Sequence, residues 1–170
     1  TRIHEMFSGA LVNITEHKPV QHMAARTPDH LASIDYQKLS AFAESVRRNP
    51  NITTLINLGI GGSDLGPKMV TQALAGFHDG PVCHFVGNIC PTDLHDVLVT
   101  CDPHKTLFIV TSKTFTTAET IANAMMAKDW LIRHGVDVGP AMVAVTAAGN
   151  RAQVWGIHPD HIFAFADGIG

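Results

Sequence analysis

Apolar residues come in short bursts along this chain, set between polar turns and longer amphipathic stretches. Thr54–Leu58, Val82–Val86, Leu107–Val110, Ala141–Val145 and His161–Phe165 are such bursts. Their length and β-branched content predict strands, most of them buried on both faces. Between them, Asp64–Leu74, Thr92–Val99, Ala118–His134 and Arg151–Trp155 carry helical patterns. Thr92 or Asp93 is the expected cap of the second, and Gly135 ends the third. Pro67 falls early in the first, where proline is tolerated. Ahead of the first strand, Leu39, Phe42 and Val46 recur at spacings of three and four, predicting a helix over Asp35–Arg48. Asp35 can serve there as cap or first-turn acid, and Asn49-Pro50-Asn51 closes the helix.

Strands alternating with helices predict an α/β fold: a doubly wound, mainly parallel five-stranded sheet with helices on both faces. Right-handed crossovers then bring every strand-to-helix loop to one edge of the sheet. Residues 35–170 are expected to form this domain. Residues 1–34 are expected to form an arm or cap, with helices at Arg2–Phe7 and Pro19–Arg26, the second ended by Pro28. The last residues, Asp167-Gly168-Ile169-Gly170, follow a strand directly, and the sequence is read as a fragment of a longer protein.

Two of the loops carry chemistry. The third strand opens into Ser112-Lys113-Thr114-Phe115-Thr116-Thr117, and a long helix follows at once. Four hydroxyls and an ammonium beside unpaired amides at a helix start form a site for an oxyanion, most plausibly phosphate. Thr116 and Glu119 have capping-box spacing, making Thr116 the expected N-cap. That leaves Ser112, Thr114 and Thr117 to face a ligand beside Lys113. The plainer alternative for Lys113 is a solvated loop lysine.

The first strand opens into Gly59-Ile60-Gly61-Gly62-Ser63-Asp64-Leu65-Gly66. Glycines allow close approach of a ligand to backbone, and the amides of Gly62, Ser63 and Asp64 are candidates to face an anion. The alternative is a turn in which Ser63 or Asp64 only caps a helix. Position 64 is aspartate where a dinucleotide fingerprint needs glycine, and no GKS or GKT makes it a P-loop. Ser63 also lacks the GxSxG setting of a nucleophile.

Composition narrows the field. Apolar residues make up 45% of the chain, and lysine plus arginine number 12 against 15 acids, a net charge of −3. No basic cluster follows a nucleic-acid backbone. No apolar run approaches the length of a membrane span. The eleven histidines are scattered, His17 and His22 or His158 and His161 lack further ligands at metal spacing, and no metal is assigned. Cys83, Cys90 and Cys101 form no CxxC and suit a reducing compartment. Glu16 is a lone carboxylate, read as a solvated residue or cap, and Asp167 as a turn residue at the functional edge.

The stretches LGIGGSDLGP at Leu58–Pro67 and SKTFTTAETIANA at Ser112–Ala124 resemble the phosphoglucose isomerase family. FSGALVNITEHKPVQHMAAR at Phe7–Arg26 resembles the segment before that family's first sugar-isomerase domain. The resemblance implies an aldose–ketose isomerase that interconverts glucose 6-phosphate and fructose 6-phosphate through a cis-enediol. It implies a longer, two-domain, cytoplasmic, homodimeric enzyme of glycolysis and gluconeogenesis that needs no metal or other cofactor. It implies that Gly62, Ser63, Ser112, Lys113, Thr114 and Thr117 hold the phosphosugar. The family's arginine, glutamate and histidine would lie beyond Gly170, so no catalytic residue is assigned within these 170 and the fragment alone is expected to be inactive. Gly87-Asn88-Ile89-Cys90-Pro91-Thr92 departs from the family's Ser-Asn-Val-Asp-Gly-Thr, keeping Asn88 and Thr92. A non-catalytic phosphosugar-sensing module is the alternative.

Overall fold

The computed structural model of the chain describes residues 1–169. Its elements run α1 (Arg2–Phe7), α2 (Pro28–Leu31), α3 (Ile34–Arg48), β1 (Thr54–Leu58), α4 (Gly62–Ala73), β2 (Val82–Val86), α5 (Pro91–Leu98) and β3 (Thr106–Thr111). They continue with α6 (Ala118–Arg133), α7 (Val138–Ala141), β4 (Met142–Thr146), α8 (Gly149–Trp155) and β5 (Ile162–Ala164). The five strands form one sheet in the order β2-β1-β3-β4-β5, and all four pairings are parallel. The α/β architecture expected from the alternating pattern is the one observed.

The core follows from that topology. Ile56, Leu58, Phe108, Val110, Met142 and Ala144 point to one face of the sheet and are fully buried. Leu94 and Leu98 of α5, Ala124, Ala127 and Leu131 of α6 and Ala152 of α8 cover them. Small alanines on α6 and α8 let those helices sit close to the sheet. The opposite face presents Leu107, Val143 and Phe163, covered by Val46 of α3 with Phe42 beside it. Right-handed crossovers explain the split, because β1 to β2 steps one way along the sheet and the later crossovers step the other.

Several boundaries differ from expectation, each for a local reason. Pro28 opens a helix rather than ending one: the Thr27 hydroxyl accepts the His30 N–H and caps α2. Pro19–Arg26 is not a helix; only Ala24–Arg26 makes a 3₁₀ turn. Ser33 caps α3, with Asp35 in its first turn. Pro91 begins α5, and neither Thr92 nor Asp93 caps it. The last strand is shorter than its apolar run, since Pro159–His161 winds into a 3₁₀ turn.

The first residues pack back onto the end of the chain. Gln21 N–H donates to the Gly168 carbonyl at 3.0 Å, Gly168 N–H donates to Gln21 Oε1 at 2.9 Å, and Lys18 pairs with Asp167 at 2.6 Å.

Candidate phosphosugar site

β1 and β3 are neighbours in register, with Leu58 opposite Val110. Their two loops therefore leave the sheet side by side. The crossovers also reverse direction between these strands, which makes the gap between the loops the crevice where open α/β sheets bind ligands.

The loop after β1 is shaped by its glycines. A Cβ on Gly59 would lie 2.7 Å from the Ser63 carbonyl oxygen, so only glycine fits that tight return. Gly61 has φ +59° and sets the direction of α4, whose first residue is Gly62. Two of the three expected anion donors are already used by the turn. Ser63 N–H donates to the Ile60 carbonyl at 3.2 Å, and Asp64 N–H donates to the Gly61 carbonyl at 3.0 Å. Gly62 N–H has no backbone acceptor among the described residues. Neither Ser63 nor Asp64 caps α4 with its side chain. Asp64 is instead buried against Gly87, where a Cβ would meet its carboxyl at 2.8 Å.

Pro67 lies within α4, and its missing N–H would have bonded to the Ser63 carbonyl. Asn57 replaces that bond. Its Nδ2 donates to the Ser63 carbonyl at 3.0 Å, and its Oδ1 accepts the Thr111 hydroxyl at 2.8 Å. One buried amide thus ties the first loop to the strand that feeds the second.

The loop after β3 turns at Phe115, which has φ +52°. A bulky residue in that region is strained by about 1–3 kcal/mol. Burial of its ring against Trp155 offsets the cost, with centroids 6.2 Å apart. The turn brings Phe115 N–H to Ser112 Oγ at 3.1 Å, and Ser112 Oγ lies 3.1 Å from Thr117 Oγ1. Thr117, not Thr116, is the N-cap of α6, and it makes no side-chain capping bond. The Thr116 hydroxyl donates to Thr114 Oγ1 at 2.8 Å, so the expected capping box does not form. Lys113 is fixed through its backbone: its carbonyl accepts from Ala147 N–H at 3.1 Å and from the Thr146 hydroxyl at 3.2 Å.

Five of the six expected site residues line one cleft of about 650 Å³: Gly62, Ser63, Ser112, Lys113 and Thr117. Thr114 opens instead onto an adjoining cleft of about 660 Å³ beside Arg151, and Lys113 forms part of both walls. A separate cavity between α3 and the sheet has an almost wholly apolar wall, built from residues such as Phe42, Leu107 and Val143, and offers little to an anion.

The structure adds groups that local sequence did not reveal. Glu16 and His22 stand at the cleft wall. Glu16 Oε2 is 2.8 Å from Lys113 Nζ, across 97 positions of sequence, and the ammonium side chain keeps 17% of its exposure. That hydrogen bond lowers the Glu16 pKa from its ordinary 4.5, with the positive charges of Lys113 and Lys18 adding to the effect. Lys18 lowers the pKa of Asp167 in the same way. Among the described residues no group of three or more His, Cys, Asp or Glu is placed to hold a metal ion. Among the described residues no helix is long and apolar enough to cross a membrane.

The phosphoglucose isomerase family model matches residues 1–170. The chain belongs to that family. It is 43% identical to a glucose-6-phosphate isomerase of Ruegeria pomeroyi over 97% of its length and 34% of that protein's. It is 44% identical to one of Bartonella quintana, covering 97% of this chain and 33% of that one. A crystal structure of a glucose-6-phosphate isomerase from Chlamydia trachomatis superposes with a TM-score of 0.82 at 29% identity, over 99% of this chain and 36% of that one. The chain thus spans about a third of the length of the curated phosphoglucose isomerases it matches.

Proposed function

We propose that this chain is the first sugar-isomerase domain, with residues 1–34 as its arm, of an enzyme that interconverts glucose 6-phosphate and fructose 6-phosphate. The observation that carries the proposal is the convergence of two loops, from adjacent in-register strands, on one cleft lined by Gly62, Ser63, Ser112, Lys113 and Thr117. Those groups suit a phosphoryl dianion. Gly62 offers an amide at the start of a twelve-residue helix, Ser112 and Thr117 offer hydroxyls paired with each other, Ser112 also accepting the Phe115 N–H, and Lys113 offers charge. Thr114 joins the set from the far side of Lys113. These contacts bind and orient the sugar and move no proton, so the binding energy of the remote phosphate holds the reacting carbons in place.

No residue of this chain is given the role of general base. In the whole enzyme, proposed to be a cytoplasmic homodimer working without a cofactor, the proton transfer belongs to residues outside these 170. The alternative, a module that senses phosphosugars without catalysis, shares the same cleft, and turnover separates the two. The whole protein is expected to convert glucose 6-phosphate to fructose 6-phosphate, and Lys113→Ala to raise KM for the phosphosugar. Absence of turnover in the whole, folded protein would leave the sensing module.

A further inference from the structure

Apart from the Gly62 amide, the cleft groups that suit an anion bond to the chain itself. Lys113 is held by Glu16, Ser112 and Thr117 are paired, and Lys18 is held by Asp167. Lys113 faces Glu16 in the cleft and Lys18 faces Asp167 in the adjoining one, so neither lysine offers an arriving anion an uncompensated charge.

Glu16 is aimed at its partner. Asn13 Oδ1 accepts Glu16 N–H at 3.2 Å, and Asn13 Nδ2 donates at 3.2 Å to the same Oε2 that accepts the Lys113 Nζ hydrogen bond. Asn13 and Lys18 close the turn with paired backbone bonds of 3.1 and 3.2 Å. The Lys18–Asp167 pair and the Gln21–Gly168 bonds clip this strap to the segment after β5. The turn therefore places one carboxylate oxygen where an oxyanion would meet Lys113. Its own exposure, 43% of the side chain, leaves it room to swing out.

We propose that Glu16 is a displaceable internal anion that sets a threshold every ligand must clear at Lys113, so that a dianionic phosphoryl group fills the cleft and a weakly held monoanion does not. The proposal rests on the phosphate cleft described above. An incoming carboxylate merely exchanges one single charge on Lys113 for another and gains little. A phosphate ester, whose second pKa is near 6, brings close to two charges and three acceptor oxygens. Coulomb attraction to Lys113 roughly doubles with that charge, and the further oxygens can take Gly62 N–H and the Ser112 and Thr117 hydroxyls. Glu16 thus raises the threshold for every anion and leaves a margin that the dianion clears.

The test is a calorimetric titration of the whole protein at pH 7.5 with glucose 6-phosphate and with glucuronate, which carries a monoanionic carboxylate at the same carbon. Glu16→Gln keeps the shape and removes the charge. It is expected to tighten glucose 6-phosphate and glucuronate alike by about fivefold, the scale of one exposed ion pair, bringing the monoanion closer to the affinity at which it fills the cleft. Asn13→Ala, which frees the carboxylate without deleting it, is expected to move both affinities in the same direction by less. Lys113→Ala should weaken binding of both ligands. Weaker or unchanged glucose 6-phosphate binding in Glu16→Gln, with the unmodified protein binding normally, would overturn the proposal and make Glu16 a positioning residue for Lys113. Absence of phosphosugar binding by the unmodified protein, or binding that ignores Lys113→Ala, would overturn the phosphate cleft itself.

Discussion

Replacing Asn57 with leucine would remove two hydrogen bonds and keep the branching of the side chain. Asn57 keeps 7% of its exposure, and its amide bonds the Ser63 carbonyl and the Thr111 hydroxyl. Leaving a buried polar partner unpaired costs about 1–3 kcal/mol, and both partners here are only partly buried, so the lower half of that range applies to each. The total comes to about 2–4 kcal/mol, a large share of the stability of a typical domain. For a chain of this size that lowers Tm by roughly 5–15 °C. Thermal unfolding followed by circular dichroism measures it.

The cause is open to a sharper test, because Asn57 serves a carbonyl that Pro67 has orphaned. Pro67→Ala restores an N–H to the Ser63 carbonyl. In the double variant Asn57→Leu/Pro67→Ala, that N–H replaces the lost amide bond. The two changes together should be more stable than the sum of their separate effects by about 1 kcal/mol. Additivity within about 0.5 kcal/mol would refute the claim that the asparagine stands in for the proline's missing donor.

Other expectations follow from single contacts. Gly59→Ala puts a Cβ 2.7 Å from a backbone oxygen that cannot turn away, and should cost about 2–3 kcal/mol and weaken phosphosugar binding, read by denaturant unfolding and titration. Gly87→Ala meets the Asp64 side chain instead, so a second change, Asp64→Ala, should recover part of the lost Tm. The carboxylates of Glu16 and Glu44, lowered from 4.5, and of Asp167, lowered from 3.8, hold their protons more weakly when folded. Their contribution is present at neutral pH and is lost as pH falls below about 4.5 through their folded values. Stability from these groups should therefore decline on the acid side only, and less steeply in Glu44→Gln.

Much of the scaffold was legible because short apolar runs and helical spacing are local. β1 and β2 lie where their apolar residues said, and α3 and α6 differ from their patterns by one residue at an end. The caps were harder. Thr116 and Glu119 have the right spacing for a capping box, yet the Thr116 hydroxyl finds Thr114 first, and a hydroxyl has several competing partners within three residues. That Gly62, Ser63, Ser112, Lys113 and Thr117 would share a cleft was legible because one loop collects glycines, the other hydroxyls and a lysine, and both follow strands of the same sheet. Glu16 was not, since nothing around it in sequence hints at Lys113. Asn57 was hidden too: an asparagine in an apolar strand gains a meaning only once the neighbouring strand and the proline ten residues later are in place.

The ladder between β1 and β3 works as a caliper. Each residue of a strand advances about 3.3 Å, and an added or missing residue would also turn every later side chain to the other face. Because Leu58 and Val110 leave the sheet level with each other, the two lips of the cleft keep a common zero point. A change of length at this site is therefore costly. Insertions would be tolerated where no gap between loops has to be kept, as in the turns that enter the strands from the opposite edge, and a shift of one residue in either central strand would spoil the cleft while leaving the outline of the fold intact.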